Sequence, residues 1–562
     1  MAEVRWTAPG RPMAAAVGDA IRHLQAGDPL RLVRVVAPDS ATVDGLRRAL
    51  PLNGGSCGAE IGGTLRLANE IAAPELGTRR MAPDVAVLAV VQQVLADPRT
   101  RPAAFATCAD HPATHDAIVR AAGTLVGAFT LPGDPAAALA SLAAGRASAT
   151  AVVQVVTTVR ERLLRQGLLD SAEIVRIAAR RLRDRSVPDA DLAIAPLVLV
   201  VTQQFNPAHV AMLQALVARA PGVVVVATTS RNPDLSVAPH VSRLVNADVY
   251  APEHRAPERT ATVVSCPDHD EEVREVTRRI VALLERGVVA DRIAVFFPPA
   301  GPHRSSIAAS LAAAGIAARG QVTPRLKGSV AGQVLRLMMS IVSDGLDRRT
   351  LVELARLAPF GRDVDRSNTD EGEGEGAESS EVVRTFARRA DRWNRLAQRH
   401  GVVGERDWPA FEAALPDDPD HFDHAAHRSL IGFVRLQRIH RDAVRAATTW
   451  SDVATALEAW FTTHCGTVEW RLDTWVGYPV WQREAAEQLE GVFGVLAEIE
   501  QFGLALRTST LARLVAAFLD TDVVTTESKG AGVFVDQIVG ATGAVFDHAF
   551  VLGANDHLLP GR

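Results

Sequence analysis

Apolar residues run along this chain in two rhythms that change places several times. "EVRWTAPG" at the start predicts a short strand running into a turn. "RPMAAAVGDAIRHLQAG" predicts an Ala-rich helix that Gly27 stops. "LRLVRVVAP" and "SATVDGLRRAL" repeat the strand and the helix. Alternation of this kind predicts a parallel, doubly wound α/β sheet. From about 80 to 186 the period is helical, as in "SAEIVRIAARRLRDR". Then "APLVLVV" (195–201) and "GVVVVATTS" (222–230) are unbroken apolar runs, as expected of strands covered on both faces.

The sequence repeats this plan from near 256. "RTATVVSC" and "RIAVFFP" predict strands around "DHDEEVREVTRRIVALLERG". In that helix Val273, Val276, Ile280, Leu283 and Leu284 fall on one face and acids fill the first turn. The acidic Gly/Ser tract 361–381 carries too few apolar residues for a core and reads as a disordered loop. From 382 to about 520 the pattern is helical and rich in Trp, and sheet pattern returns at 533–552. The order is therefore sheet, helical insert, sheet, twice over.

Length and composition narrow the classes. With 562 residues the chain exceeds one ordinary core. The net charge of -5 supplies no global basic field, so any nucleic-acid contact has to be local. Four scattered cysteines contain no CxxC pair, which argues against a zinc ribbon and suits a reducing compartment. The start lacks a signal-peptide pattern and the longest apolar stretch is half a membrane span. The expectation is a cytoplasmic protein with no membrane partner.

Four segments stand at the junctions of this layout. They are "TAPGRPMA" (7–14), "GGTLRLANEI" (62–71), "LVVTQQFNPAHVAMLQALV" (199–217) and "VGATGAVFDHAFVLGANDHLLP" (539–560). With the doubled order, they resemble the UvrD-like (superfamily 1) helicase fold. The subtype they resemble most is the inactivated helicase-like part of AddB or AdnA/AdnB subunits, members of PD-(D/E)xK helicase-nucleases. The resemblance implies two RecA-like domains, each with a helical insertion. The first is 1–80 with 191–255, around an insertion at 81–190. The second is 256–350 with 526–562, around an insertion at 351–525.

Site by site, the resemblance implies a degenerate motor. In the phosphate loop GxxxxGK[ST], Thr7 and Pro12 stand at the glycines, Met13 at the lysine and Ala14 at the hydroxyl position. Pro12 also removes an N–H from the phosphate cradle. The chain's two lysines, Lys327 and Lys529, lie in no such loop. Val200 and Val201 replace the acids that hold magnesium and orient water, while Gln203 is kept. In the ATP–DNA coupling motif, Val539, Thr542 and Val545 replace the His, Lys and Glu, and Gly543 remains.

Thr64 is a candidate DNA contact or, equally, a helix start. Arg471 and Trp475 are candidates for base stacking, with a helical-domain core as the commoner alternative. His421, His424 and His427 with Asp420 and Asp423 form a polar helix start more readily than a metal site. The resemblance thus implies a non-motor subunit of a DNA repair and recombination complex, with DNA and an AddA/RecB-like motor as partners. ATP and magnesium would belong to that partner. An iron–sulfur cluster and magnesium would belong to a nuclease domain beyond residue 562. Two other readings are an active ATP-dependent DNA helicase with divergent motifs and an unrelated α/β metabolic enzyme.

Overall fold

A computed structural model describes the chain except residues 1, 9–10, 52–53, 56, 127–144, 193, 230–235, 253–260, 299–302, 321–323, 358–378, 419, 476–477, 525–530, 539–545 and 556–562. The chain is α/β with parallel sheets and forms two compact units. One unit comprises 1–83, 94–322 and 528–562; the other comprises 84–93 and 323–527.

Among the described residues the first unit holds two main sheets and a two-stranded ladder. The larger contains β1 (Glu3–Thr7), β2 (Val33–Ala37), β3 (Ala59–Gly63), β6 (Leu197–Val201) and β7 (Val223–Thr228). Their order is β1-β7-β6-β2-β3, and every neighbouring pair is parallel. A two-stranded ladder pairs β4 (Arg80–Met81) with β5 (Leu168–Leu169). Strands β2, β6 and β7 are buried throughout, because helices cover both faces; β6 and β7 carry no charged residue, and in β2 only Arg34 interrupts the apolar run, paired with Glu60 and Glu70. Val198, Val200, Val224 and Val226 pack beneath the helices over Arg11–Gln25 and Ser40–Ala49. Leu197, Leu199, Val201, Val223, Val225 and Ala227 pack beneath those over Thr64–Leu76, Ser171–Arg183 and Pro207–Val217. The period-two alternation of a strand divides the two layers.

The smaller sheet contains β8 (Ile293–Phe297), β9 (Ala318–Gly320), β10 (Val533–Gln537) and β11 (His548–Val551). Its order is β11-β8-β10-β9, again parallel. The helices over His269–Glu285 and His303–Ala313 cover one face through Val273, Ile280, Ile307 and Leu311. The other face carries Ala294, Phe296 and Phe534, with Phe546 against them.

One strand is added and one expectation changes. Ala59–Gly63 is the edge strand β3, where half-buried positions tolerate two glycines. "RTATVVSC" supplies no strand among the described residues: 261–266 joins no ladder, and Val263 is 93% exposed. The acidic tract 361–378 lies outside the described residues.

The second unit is helical. Trp408, Trp450, Trp460 and Trp475 are fully buried in it. Three of these indoles donate inward, Trp408 to the Leu346 carbonyl (2.8 Å), Trp450 to the Leu504 carbonyl (2.7 Å) and Trp460 to Gln437 Oε1 (2.9 Å). Buried indoles usually find such acceptors, which fixes the helices in register as well as filling volume. Within this unit the helix over Val330–Asp344 packs against those over Val480–Glu498 and Thr508–Leu519. No described helix is long and apolar enough to cross a membrane.

Candidate functional site

The C-terminal ends of β1, β7, β6 and β2 share one edge of the larger sheet. Open parallel sheets bind ligands at that edge. At the end of β1 the Thr7 carbonyl accepts from the Thr229 N–H (3.0 Å), and its hydroxyl donates to the Ala8 carbonyl (3.2 Å). Pro12 sits in the first turn of the helix over Arg11–Gln25, where a missing N–H is tolerated. Met13 and Ala14 are fully buried in the layer shared with Val17, Val198 and Val200.

Two strands away, about 10 Å by strand spacing, β6 ends on Val200 and Val201. The two side chains enter opposite apolar layers, and both are fully buried. The next residue, Thr202, has a buried hydroxyl with no partner among the described residues. Gln203 Nε2 donates to Asp39 Oδ2 at 3.0 Å. Asp39 Oδ1 accepts from the Thr42 N–H at 2.7 Å and caps the helix over Ser40–Ala49. One carboxylate thereby ties the loop after β6 to the loop after β2. Asn206 caps the following helix through the His209 N–H (2.9 Å), which sets the Phe205–Asn206–Pro207 bend.

A second carboxylate ends β10 in the smaller sheet. Burial pushes Asp536 up to about 6; the Gln537 N–H and Arg304 oppose the rise and Asp39 adds to it. The Gln537 N–H donates to Asp536 Oδ1 at 2.6 Å. At the opposite end of this sheet Asp291 Oδ1 accepts from the Gly532 N–H at 2.6 Å. Arg319 Nε donates to the Gly532 carbonyl (3.1 Å) and lies 3.6 Å from Asp291. Its guanidinium stands 4.9 Å from the Phe534 ring centre. Burial, joined by the Arg48 charge, pulls Arg319 down to about 10, against Asp291. Arg48 lies 3.5 Å from Asp291, which puts the helix over Ser40–Ala49 beside the smaller sheet.

The other candidates are scattered. Thr64 is 3% exposed and its hydroxyl donates to the Pro38 carbonyl at 3.4 Å. Arg471 and Trp475 are interior residues of the helical unit. Arg471 donates to the Gly466 carbonyl (2.8 Å) and to Glu490 Oε1 (2.6 Å), closing the end of the helix over Trp450–Cys465. His424 and His427 are buried and bond the carbonyls of Pro416 (2.8 Å) and Phe411 (2.7 Å). Among the described residues no group of three or more His, Cys, Asp or Glu could hold a metal. Val539, Thr542, Gly543 and Val545 lie outside the described residues.

No protein-family model matches this chain, and no curated protein matches it.

Asp39 and Asp536 escaped the motif reading, yet each carries a sequence signal. Asp39 precedes "SAT" at a helix start, as an N-cap does. Asp536 is the one acid in the apolar run "VFVDQIV".

Proposed function

We propose that this chain is a non-motor, helicase-like subunit of a DNA end-processing complex, built on two RecA-like lobes of the UvrD-like, AddB-related kind. It binds DNA and a motor partner resembling AddA or RecB, and leaves ATP hydrolysis to that partner. One observation carries the reading. β1, which leads into the helix over Arg11–Gln25, and β6 stand two strands apart in one sheet, and Met13 and Ala14 on that helix and Val200 and Val201 at the end of β6 fill the four key positions as buried apolar side chains.

A magnesium triphosphate needs an ammonium at the first of these places and carboxylates at the last two. The residues present do not suit it: the carboxylates identified around the edge are Asp39 and Asp536, and Asp39 is already engaged by Gln203. The same edge is well suited to a fixed scaffold, with its loops tied by caps and by the Gln203–Asp39 bond.

The test is a pair of measurements on the purified chain. DNA binding is followed by fluorescence anisotropy, and ATP turnover is followed with and without DNA. Salt-sensitive DNA binding without turnover is the expected outcome. DNA-stimulated hydrolysis, or magnesium-dependent ATP binding in the micromolar range, would overturn the reading.

A further inference from the structure

The helix over Ser379–Arg399 carries Arg392, Arg395 and Arg399 on an exposed face. Their spacing, i, i+3, i+7, sets them in one stripe about 10 Å long. Phe422, 69% exposed, faces them from the turn before the helix over His424–Ala446. The Arg392 guanidinium donates to the Phe422 carbonyl, and the Arg399 guanidinium stands 5.9 Å from the Phe422 ring centre. These side chains, with Gln398 and Asp423, line an open groove of about 670 Å³.

Charge in the groove is uneven. Asp423 is buried; it accepts from Arg399 at 2.7 Å and lies 3.8 Å from Arg392. It therefore orients two arginines and cancels one charge. Arg395 is exposed and has no ion-pair partner among the described residues. Asp417, Asp418 and Asp420, on the loop leading to Phe422, keep the surrounding field from being strongly basic. The cationic character is confined to the stripe itself.

A line of guanidinium groups beside a guanidinium-braced aromatic ring offers two things together. Phosphates find cations along one direction, and a base finds the exposed part of a ring that His421, 4.8 Å away between centroids, and Arg399 flank. We propose that this groove binds single-stranded nucleic acid, with a base stacked on Phe422 and the backbone following Arg392, Arg395 and Arg399. The proposal rests on the DNA-binding reading above and names the surface that carries it. A single strand is favoured over a duplex because stacking on an exposed ring requires an unpaired base.

The experiment uses the full chain and a fluorescent oligo(dT), with anisotropy measured across a salt series. Three arginines less Asp423 leave about two phosphates neutralised, so log affinity falls with log salt at a slope of about −1.4. Phe422→Ala weakens binding about fivefold or more without changing that slope. Arg395→Glu weakens binding and flattens the slope by about 0.7 or more. Both side chains are exposed, so circular dichroism melts of the variants should superimpose on the parent. A blunt duplex of equal length should bind without sensitivity to Phe422→Ala; equal sensitivity overturns the single-strand assignment. If the parent binds oligo(dT) and both variants match it within twofold, the groove is excluded and the DNA-binding reading survives. If the parent binds no DNA, both proposals fall.

Discussion

Asp536→Asn should stabilise the first unit at neutral pH and do nothing at pH 4. The carboxyl is 8% exposed and burial raises it from 3.8 to about 6. Its folded form holds the proton more tightly than its unfolded form. The favourable contribution is therefore complete below about pH 4 and disappears as pH climbs through about 6. Above that range the folded protein carries a poorly solvated charge. A shift of about two units corresponds to roughly 3 kcal/mol, and solvent at the sheet edge screens this to about 1–2 kcal/mol. Asparagine cannot ionise, and its carbonyl can still accept the 2.6 Å bond from the Gln537 N–H.

The assay is thermal unfolding of parent and variant between pH 4 and pH 8. For a unit of this size, 1–2 kcal/mol moves Tm by about 2–6 °C. The two curves should coincide at pH 4, separate between pH 4 and 6, and stay apart above. Parallel curves, or a variant less stable at pH 7.5, would refute the argument that Asp536 ionises against its surroundings.

Three further outcomes follow from burial and geometry. Val201→Asp places a carboxylate in an apolar layer and should cost more than about 3 kcal/mol in urea denaturation, with no ATPase activity gained. Arg471→Met strands Glu490 and should destabilise the helical unit by about 3–5 kcal/mol, while Arg471→Met with Glu490→Leu recovers much of the loss; DNA affinity, measured by anisotropy under native conditions, should not change. Gly466→Ala places a Cβ 2.1 Å from the Trp470 ring at a φ of +68° and should lower stability by about 2–3 kcal/mol, read from a thermal melt.

The sheet cores were legible because unbroken apolar runs have few other destinations. "LVLVV" and "VVVVAT" could only be strands covered on both sides, and so they are. Gly-rich β3 was hidden because an edge strand needs only half its surface covered, which leaves a weak pattern. For the candidate edge, sequence located the apolar replacements at Met13, Ala14, Val200 and Val201 but not the carboxylates that approach it from two sheets. Asp39 and Asp536 are separated by nearly the whole chain, and no local pattern registers such proximity. Arg471 and Trp475 show the converse. Residue types that suit a nucleic-acid surface also suit a packed interior, and only burial separates the two uses.

The smaller sheet draws β8 and β9 from 293–320 and β10 from 533–537, yet β10 lies between them. On a ribosome adding about 5–20 residues per second, the gap of about 210 residues takes roughly 10–40 s to make. Through that interval the apolar strand β8 and the short β9 wait with unsatisfied edges for the one that joins them. Nascent chains stalled just before residue 533 should therefore recruit chaperones, and those released past it should not.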